Sequence, residues 1–137
     1  MLSENRKVLI DLRLEQAHIC LKEAELMLSA NFYKGTSNRS YYCIFHSMRA
    51  VLAINKLDSK KHMGIISMFR ERYIKTGIFD KTLSDIVGKA FTNRGESDYN
   101  DFFIISKEET LEQVNNAGIF LLSIEEYINK LEIEDTT

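Results

Sequence analysis

The sequence predicts an all-α protein, an up-and-down bundle of about five helices forming a single domain over residues 1–137. Three observations carry this. Proline is absent, whereas a β-sandwich or a disordered linker of this length would normally contain several. Apolar residues recur at steps of three and four, the period of one helix face. Two of these stripes, one near each end of the chain, keep an almost heptad spacing, which suits helices packed lengthwise at a shallow angle. A chain of this size buries roughly two-thirds of the surface its unfolded form exposes, enough for one core.

The elements follow in order. Residues 3–30 read as one helix, with Ile10, Leu14, Ala17, Leu21, Ala24 and Leu28 on a single stripe. Asn31 to Gly35 breaks it, and Thr36, Ser37 or Asn38 is placed to cap a second helix running to Ile54. Tyr41, Ile44, Phe45, Met48, Val51 and Leu52 mark its buried side, and residues 55–61 form a charged loop. A third helix spans 62–75 through Ile65, Ile66, Phe69 and Tyr73, with Gly77 as its stop. A fourth spans 81–93 through Leu83, Ile86, Val87, Ala90 and Phe91. Residues 94–105 read as a loop or a fraying helix end. Ser106 with Glu109 three residues on is a capping box for a fifth helix. Its stripe is Val114, Ala117, Leu121, Ile124, Ile128 and Leu131, and residues 132–137 are expected to fray. Gly118 inside that helix costs up to ~1 kcal/mol against alanine, which a close helix–helix approach would explain.

The net charge of −2 hides a segregation. Residues 1–33 carry −1, residues 34–94 carry +8 and residues 95–137 carry −9. The basic middle could face a polyanion, or the acidic last helix could lie against it within the chain or across a dimer. No run approaches the ~18 apolar residues of a membrane helix, and the charged N-terminus lacks the apolar core of a signal peptide. These features predict a cytoplasmic protein that does not engage membranes. Cys20 and Cys43 lie within helical patterns and read as small buried hydrophobes. No histidine pair sits at a metal-binding spacing, and the glycines are too scattered for a phosphate loop, so no metal and no cofactor is expected.

Four blocks of sequence carry a resemblance. They are Tyr41 to Ala50 (YYCIFHSMRA), Ser59 to Phe69 (SKKHMGIISMF), Gly77 to Asp80 (GIFD) and Arg94 to Tyr99 (RGESDY). Together, in this order, they resemble the HEPN family of small helical domains, over nearly the whole chain. The resemblance implies a helical bundle that dimerises. It implies either a metal-independent ribonuclease or a non-catalytic partner that binds nucleotides or proteins. In bacteria and archaea such domains often form the toxin half of a pair with a minimal nucleotidyltransferase antitoxin. The ribonuclease members carry an Arg followed, after four to six residues, by a His, with two such motifs meeting across the dimer. Arg94 matches the Arg. The His is absent: Tyr99 stands at its place, and His18, His46 and His62 all precede Arg94. A tyrosine titrates near ~10 and is a poor base at neutral pH.

The candidate catalytic set is therefore Arg94, Asp98 and Tyr99. The structural alternative is that Arg94 pairs with Glu96, Asp98 or Asp101 and only fixes the loop. Lys60, Lys61 and His62 form a candidate RNA- or nucleotide-binding group at a helix start, with a solvated basic loop as the alternative. Tyr42, His46 and Arg49 share a helical face that could line a cavity near Arg94, or form an internally satisfied polar cluster. Tyr42 and Arg49 are taken as further binding candidates. The partners expected are a second copy of the chain, a nucleotidyltransferase antitoxin, and RNA or a nucleotide. A non-catalytic nucleotide- or protein-binding module is the competing class, favoured by the missing His, and a purely structural dimer is a third.

Overall fold

Five α-helices make up the architecture in the computed structural model, which describes residues 2–136, with side chains to Glu132. They are α1 (Glu4–Ser29), α2 (Tyr33–Leu52), α3 (His62–Phe69), α4 (Lys81–Tyr99) and α5 (Lys107–Thr136). A short 3-10 turn, Ala53–Asn55, ends α2, and a π-helical segment, Arg70–Ile74, extends α3. No strand occurs among the described residues.

Helix α2 is the centre of the bundle and packs on α1, α5, α4 and α3. It runs antiparallel to α1, since Arg13 Nη1 donates to the Arg49 carbonyl at 2.9 Å while Glu23 meets Arg39 at 3.6 Å further along. Helix α5 closes the bundle against α1 through His18–Glu125 (2.8 Å) and against α4 through Lys89–Glu112 (2.8 Å). The predicted stripes of α2 and α3 are buried throughout. On α5 they are buried from Val114 to Ile128, with Phe120 added and Leu131 half-buried. On α1, Ile10, Ala17 and Ala24 are buried, whereas Leu14, Leu21 and Leu28 lie at the margin. Cys20 and Cys43 are free and buried, and burial pushes the Cys43 thiol up to about 12.

The helix ends follow local chemistry. Ser3 Oγ accepts from the Arg6 N–H, Asp80 from Thr82, and Ser106 from Glu109, so each fills a donor the helix itself leaves unpaired. Gly77, at φ +80°, lies beyond the end of the α3 extension, as expected.

Four expectations need correction. Helix α2 starts at Tyr33, without a side-chain cap, because Asn31 alone turns the chain with φ +65°. Thr36 instead returns its hydroxyl to the Phe32 carbonyl at 2.8 Å, and Thr36 and Ser37 are buried. Helix α4 continues six residues past Asn93, to Tyr99, so of the stretch read as a loop or fraying helix end Arg94–Tyr99 is the end of the helix and the loop begins at Asn100. The fifth helix, expected to fray from residue 132, stays helical to Thr136, while residue 137 lies outside the described residues. Gly118 is not at a close helix crossing, for a Cβ built there would meet nothing within 4 Å.

Candidate functional site

The extension of α4 creates the site. It places Arg94 and Asp98 on one face, one turn apart, with Arg94 Nε 3.0 Å from Asp98 Oδ2. That N–H is not directed at the carboxylate as a hydrogen bond, so the contact is an ion pair. The face packs on α2, where Arg94 Nη2 donates to the Tyr42 hydroxyl at 3.3 Å. The guanidinium carbon lies 5.6 Å from the Tyr41 ring centre and 5.7 Å from those of Tyr42 and Tyr99. Arg94 is therefore held by three aromatic faces, with its side chain only 18 % exposed. Its Nη1 takes no partner among the described residues. A planar donor fork fixed in this way is suited to a phosphate.

Asp98 is shared, because Asn38 Nδ2 donates to the same oxygen at 3.4 Å. Arg39 lies 5.2 Å over the other aromatic neighbour, Tyr42, and pairs with Glu23. Tyr99, the last residue of α4, is 78 % exposed. Beyond it Phe102 and Ile104 are exposed at 93 % and 88 %. Tyr99, whose ring meets the guanidinium, thus begins an exposed apolar rim at the end of α4.

The basic loop arrives at the same place. His62 opens α3, and its Nδ1 lies 2.8 Å from the Tyr41 hydroxyl. Its ring stacks on Phe45 at 4.4 Å and meets Tyr42 edge-on at 5.8 Å. Burial, and then the charge of Arg94, hold the His62 imidazole below the ordinary histidine range. Burial raises the Tyr41 phenol, which stays neutral. Lys60 and Lys61, just before His62, are exposed, with no ion-pair partner among the described residues.

Arg49 reaches only the edge of this cluster, its guanidinium 6.0 Å from the centre of the Phe45 ring on which His62 stacks. It pairs with Asp58 at 3.1 Å and, with the buried Arg13, clamps the 55–61 loop. Partial burial raises the Asp58 carboxyl, but the Arg49 hydrogen bond and further contacts outweigh it and hold the group below its usual range. His46 sits between Tyr42 and that clamp, with Nδ1 buried and unpartnered. The helical face of Tyr42, His46 and Arg49 is thus divided between two tasks.

Tyr41, Asn38 and Arg39 belong to the cluster although they were not among the predicted site residues. Extending the Tyr42 face back by one turn would have found Asn38 and Arg39, which lie four and three residues earlier. Tyr41 carries only a core signal in the sequence, because its side chain is buried, although its ring meets Arg94 and its hydroxyl meets His62. Among the described residues no three of His, Cys, Asp or Glu gather where they could hold a metal ion. No helix among the described residues is long and apolar enough to cross a membrane.

A family model for the HEPN domain matches residues 10–127. A protein of Methanocaldococcus jannaschii named as a candidate toxin is 30% identical over 115 residues, covering 84% of this chain and 78% of its own. A UPF0332 protein of Thermotoga maritima is 29% identical over 130 residues, covering 95% of this chain and 98% of its own. A UPF0332 protein of Archaeoglobus fulgidus is 29% identical over 121 residues, covering 88% and 96% respectively.

Proposed function

This chain belongs to the HEPN family, and from that membership we propose that it is the toxin-type half of a pair with a small nucleotidyltransferase, cleaving RNA without a metal ion at a centre built on Arg94 and shared across a homodimer. The observation that carries the reading is the seating of Arg94. Its guanidinium is fixed by Tyr42 and by three aromatic faces, and one nitrogen is left free for a phosphate oxygen. Lys60 and Lys61, exposed and just before His62 in the chain, add positive charge in the segment that carries +8. The Methanocaldococcus jannaschii relative named as a candidate toxin supports the toxin assignment.

One observation favours a second reading, a nucleotide- or protein-binding module. Asp98 already neutralises part of the Arg94 charge at 3.0 Å, and no histidine follows on α4. The two readings separate in a gel assay in EDTA with single-stranded RNA of mixed sequence. Arg94→Lys keeps the charge but loses the fork. It is expected to lower cleavage by roughly 10- to 100-fold, the ~1.5–3 kcal/mol of a charged hydrogen bond. Tyr99→Phe has a smaller effect, and Tyr99→His, which restores the Arg-x4-His spacing, raises cleavage. If neither the wild type nor Tyr99→His cleaves, and Arg94→Lys binds RNA unchanged, the binding module replaces the ribonuclease.

A further inference from the structure

Helix α4 supplies an arginine without a proton carrier, while a histidine from another helix leans into the same cluster. We infer that His62 is the catalytic base of this site, its Nε2 accepting the 2′-hydroxyl proton of an RNA whose phosphate is held by Arg94. This rests on the ribonuclease reading above.

The geometry supports the role in three ways. First, His62 is fixed in place. Arg13 and Arg49 both pair with Asp58, whose Oδ1 accepts the Ser59 N–H at 2.9 Å, and Ser59 Oγ accepts the Lys61 N–H at 3.2 Å. The ring itself is stacked on Phe45 at 4.4 Å. Second, its two nitrogens have separate tasks. Nδ1 lies 2.8 Å from the Tyr41 hydroxyl, and in the tautomer this role requires Nδ1–H donates to that oxygen while Nε2 keeps its lone pair. Among the described residues nothing occupies Nε2, and the ring is partly exposed. Third, it adjoins the phosphate ligand: Tyr42 meets the His62 ring edge-on at 5.8 Å and accepts from Arg94 at 3.3 Å, so one side chain touches both. Neither other histidine matches this. His18 is exposed and tied to Glu125, and His46 faces Arg49, Arg39 and Arg13.

The charges around His62 suit a base. Tyr41 and Tyr42 face it from α2, Arg94 acts on it from α4, and Lys60 and Lys61 precede it in the chain. Its burial and the Arg94 charge keep it neutral at pH 7. In the step, the 2′-hydroxyl proton passes to Nε2 as the 2′-oxygen bonds to phosphorus. The bond from phosphorus to the 5′-oxygen breaks, and that oxygen takes a proton from water. The imidazolium then returns its proton to the hydroxide left behind. The products are a 2′,3′-cyclic phosphate and a 5′-hydroxyl.

The test uses the full chain and mixed-sequence RNA in EDTA, with an all-2′-deoxy copy as control. His62→Asn is expected to lose cleavage by roughly 100-fold or more, the lower end of a general base's contribution. The wild-type rate rises with pH through the His62 titration and then levels. In His62→Asn this acid limb disappears, which loss of a merely structural contact would not cause. Should that variant not fold, the wild type decides. Its His62 ring-proton signal, titrated with and without uridine 3′-monophosphate, moves to a higher midpoint when the nucleotide binds, and an unmoved midpoint overturns the assignment. Cleavage that survives His62→Asn, or keeps its acid limb, overturns His62 alone. A wild type that does not cleave takes down the ribonuclease reading, and this inference with it.

Discussion

Arg94 shows what a single residue's surroundings add to its identity. The sequence marks it through a motif, but only the structure places three tyrosine rings around it. Tyr42, 52 positions from Arg94, was reached through its helical face, but pairs of residues were readable directly only where they lie close in sequence. Arg94 and Asp98, at i and i+4, are an example. Tyr41, meeting His62 across 21 positions, was not readable, because no local pattern couples α2 to the start of α3. His46 yields a prediction at this scale. Burial, and then the charges of Arg49, Arg39 and Arg13, lower its pKa in the folded state. In the unfolded chain it titrates near ~6.5. Between the lowered folded value and ~6.5 the unfolded state binds more protons, so stability rises with pH in that window. The contribution is complete above the unfolded value and is lost as pH falls toward the folded one. His62 acts in the same window and the same direction. Thermal melts should therefore show Tm falling from pH 7 toward pH 5, and His46→Gln should flatten part of that fall. A wild-type Tm that is level over this range would show that neither imidazole is held neutral by the fold.

At the scale of elements, periodicity located the helices better than it located their ends. The stripes of α2, α3 and α5 are the observed core, because burial of one face is what sets a 3.6-residue period. The boundary at residue 93 was missed for a physical reason. Arg94-Gly95 looks like a stop, yet the ion pair between Arg94 and Asp98 and the packing of Arg94 on Tyr42 carry the helix one and a half turns further. Those turns are the ones that bear the site. Gly118 provides the second prediction. A methyl group there would meet nothing within 4 Å, and the glycine faces a shallow groove beside Leu21, Glu25 and Leu122. Gly118→Ala should therefore recover the helical penalty of glycine, stabilising the fold by up to ~1 kcal/mol and raising Tm by roughly 3–5 °C. A lower Tm by scanning calorimetry would mean that the groove is filled in solution.

At the scale of the whole molecule, the opposed charges of the middle and last segments remain largely unpaired within one chain. Among the described residues, two ion pairs join residues 34–94 to residues 95–137, namely Lys89–Glu112 and Arg94–Asp98. The second lies within a single helix and brings no basic surface against α5. A second copy, related by a two-fold axis, can set each basic middle near its partner's acidic helix, and a two-fold does so twice. The exposed rim of Tyr99, Phe102 and Ile104 points the same way, since large apolar side chains at 78–93 % exposure, the first of them against Arg94, gain by being covered. Covering them with a second copy would also bring two Arg94 clusters together, as the shared ribonuclease centre requires. Sedimentation at micromolar concentration should accordingly give twice 15.9 kDa. Because exposed charges are screened by salt, association should weaken at 1 M salt without vanishing. Phe102→Asp, which places a charge in the rim while touching no core residue, should shift the protein to monomer with its Tm nearly unchanged. RNA cleavage should fall with the dimer fraction. A wild type that sediments as a clean monomer, or a monomeric Phe102→Asp that cleaves at the wild-type rate, would remove the shared centre and leave each Arg94 cluster to act alone.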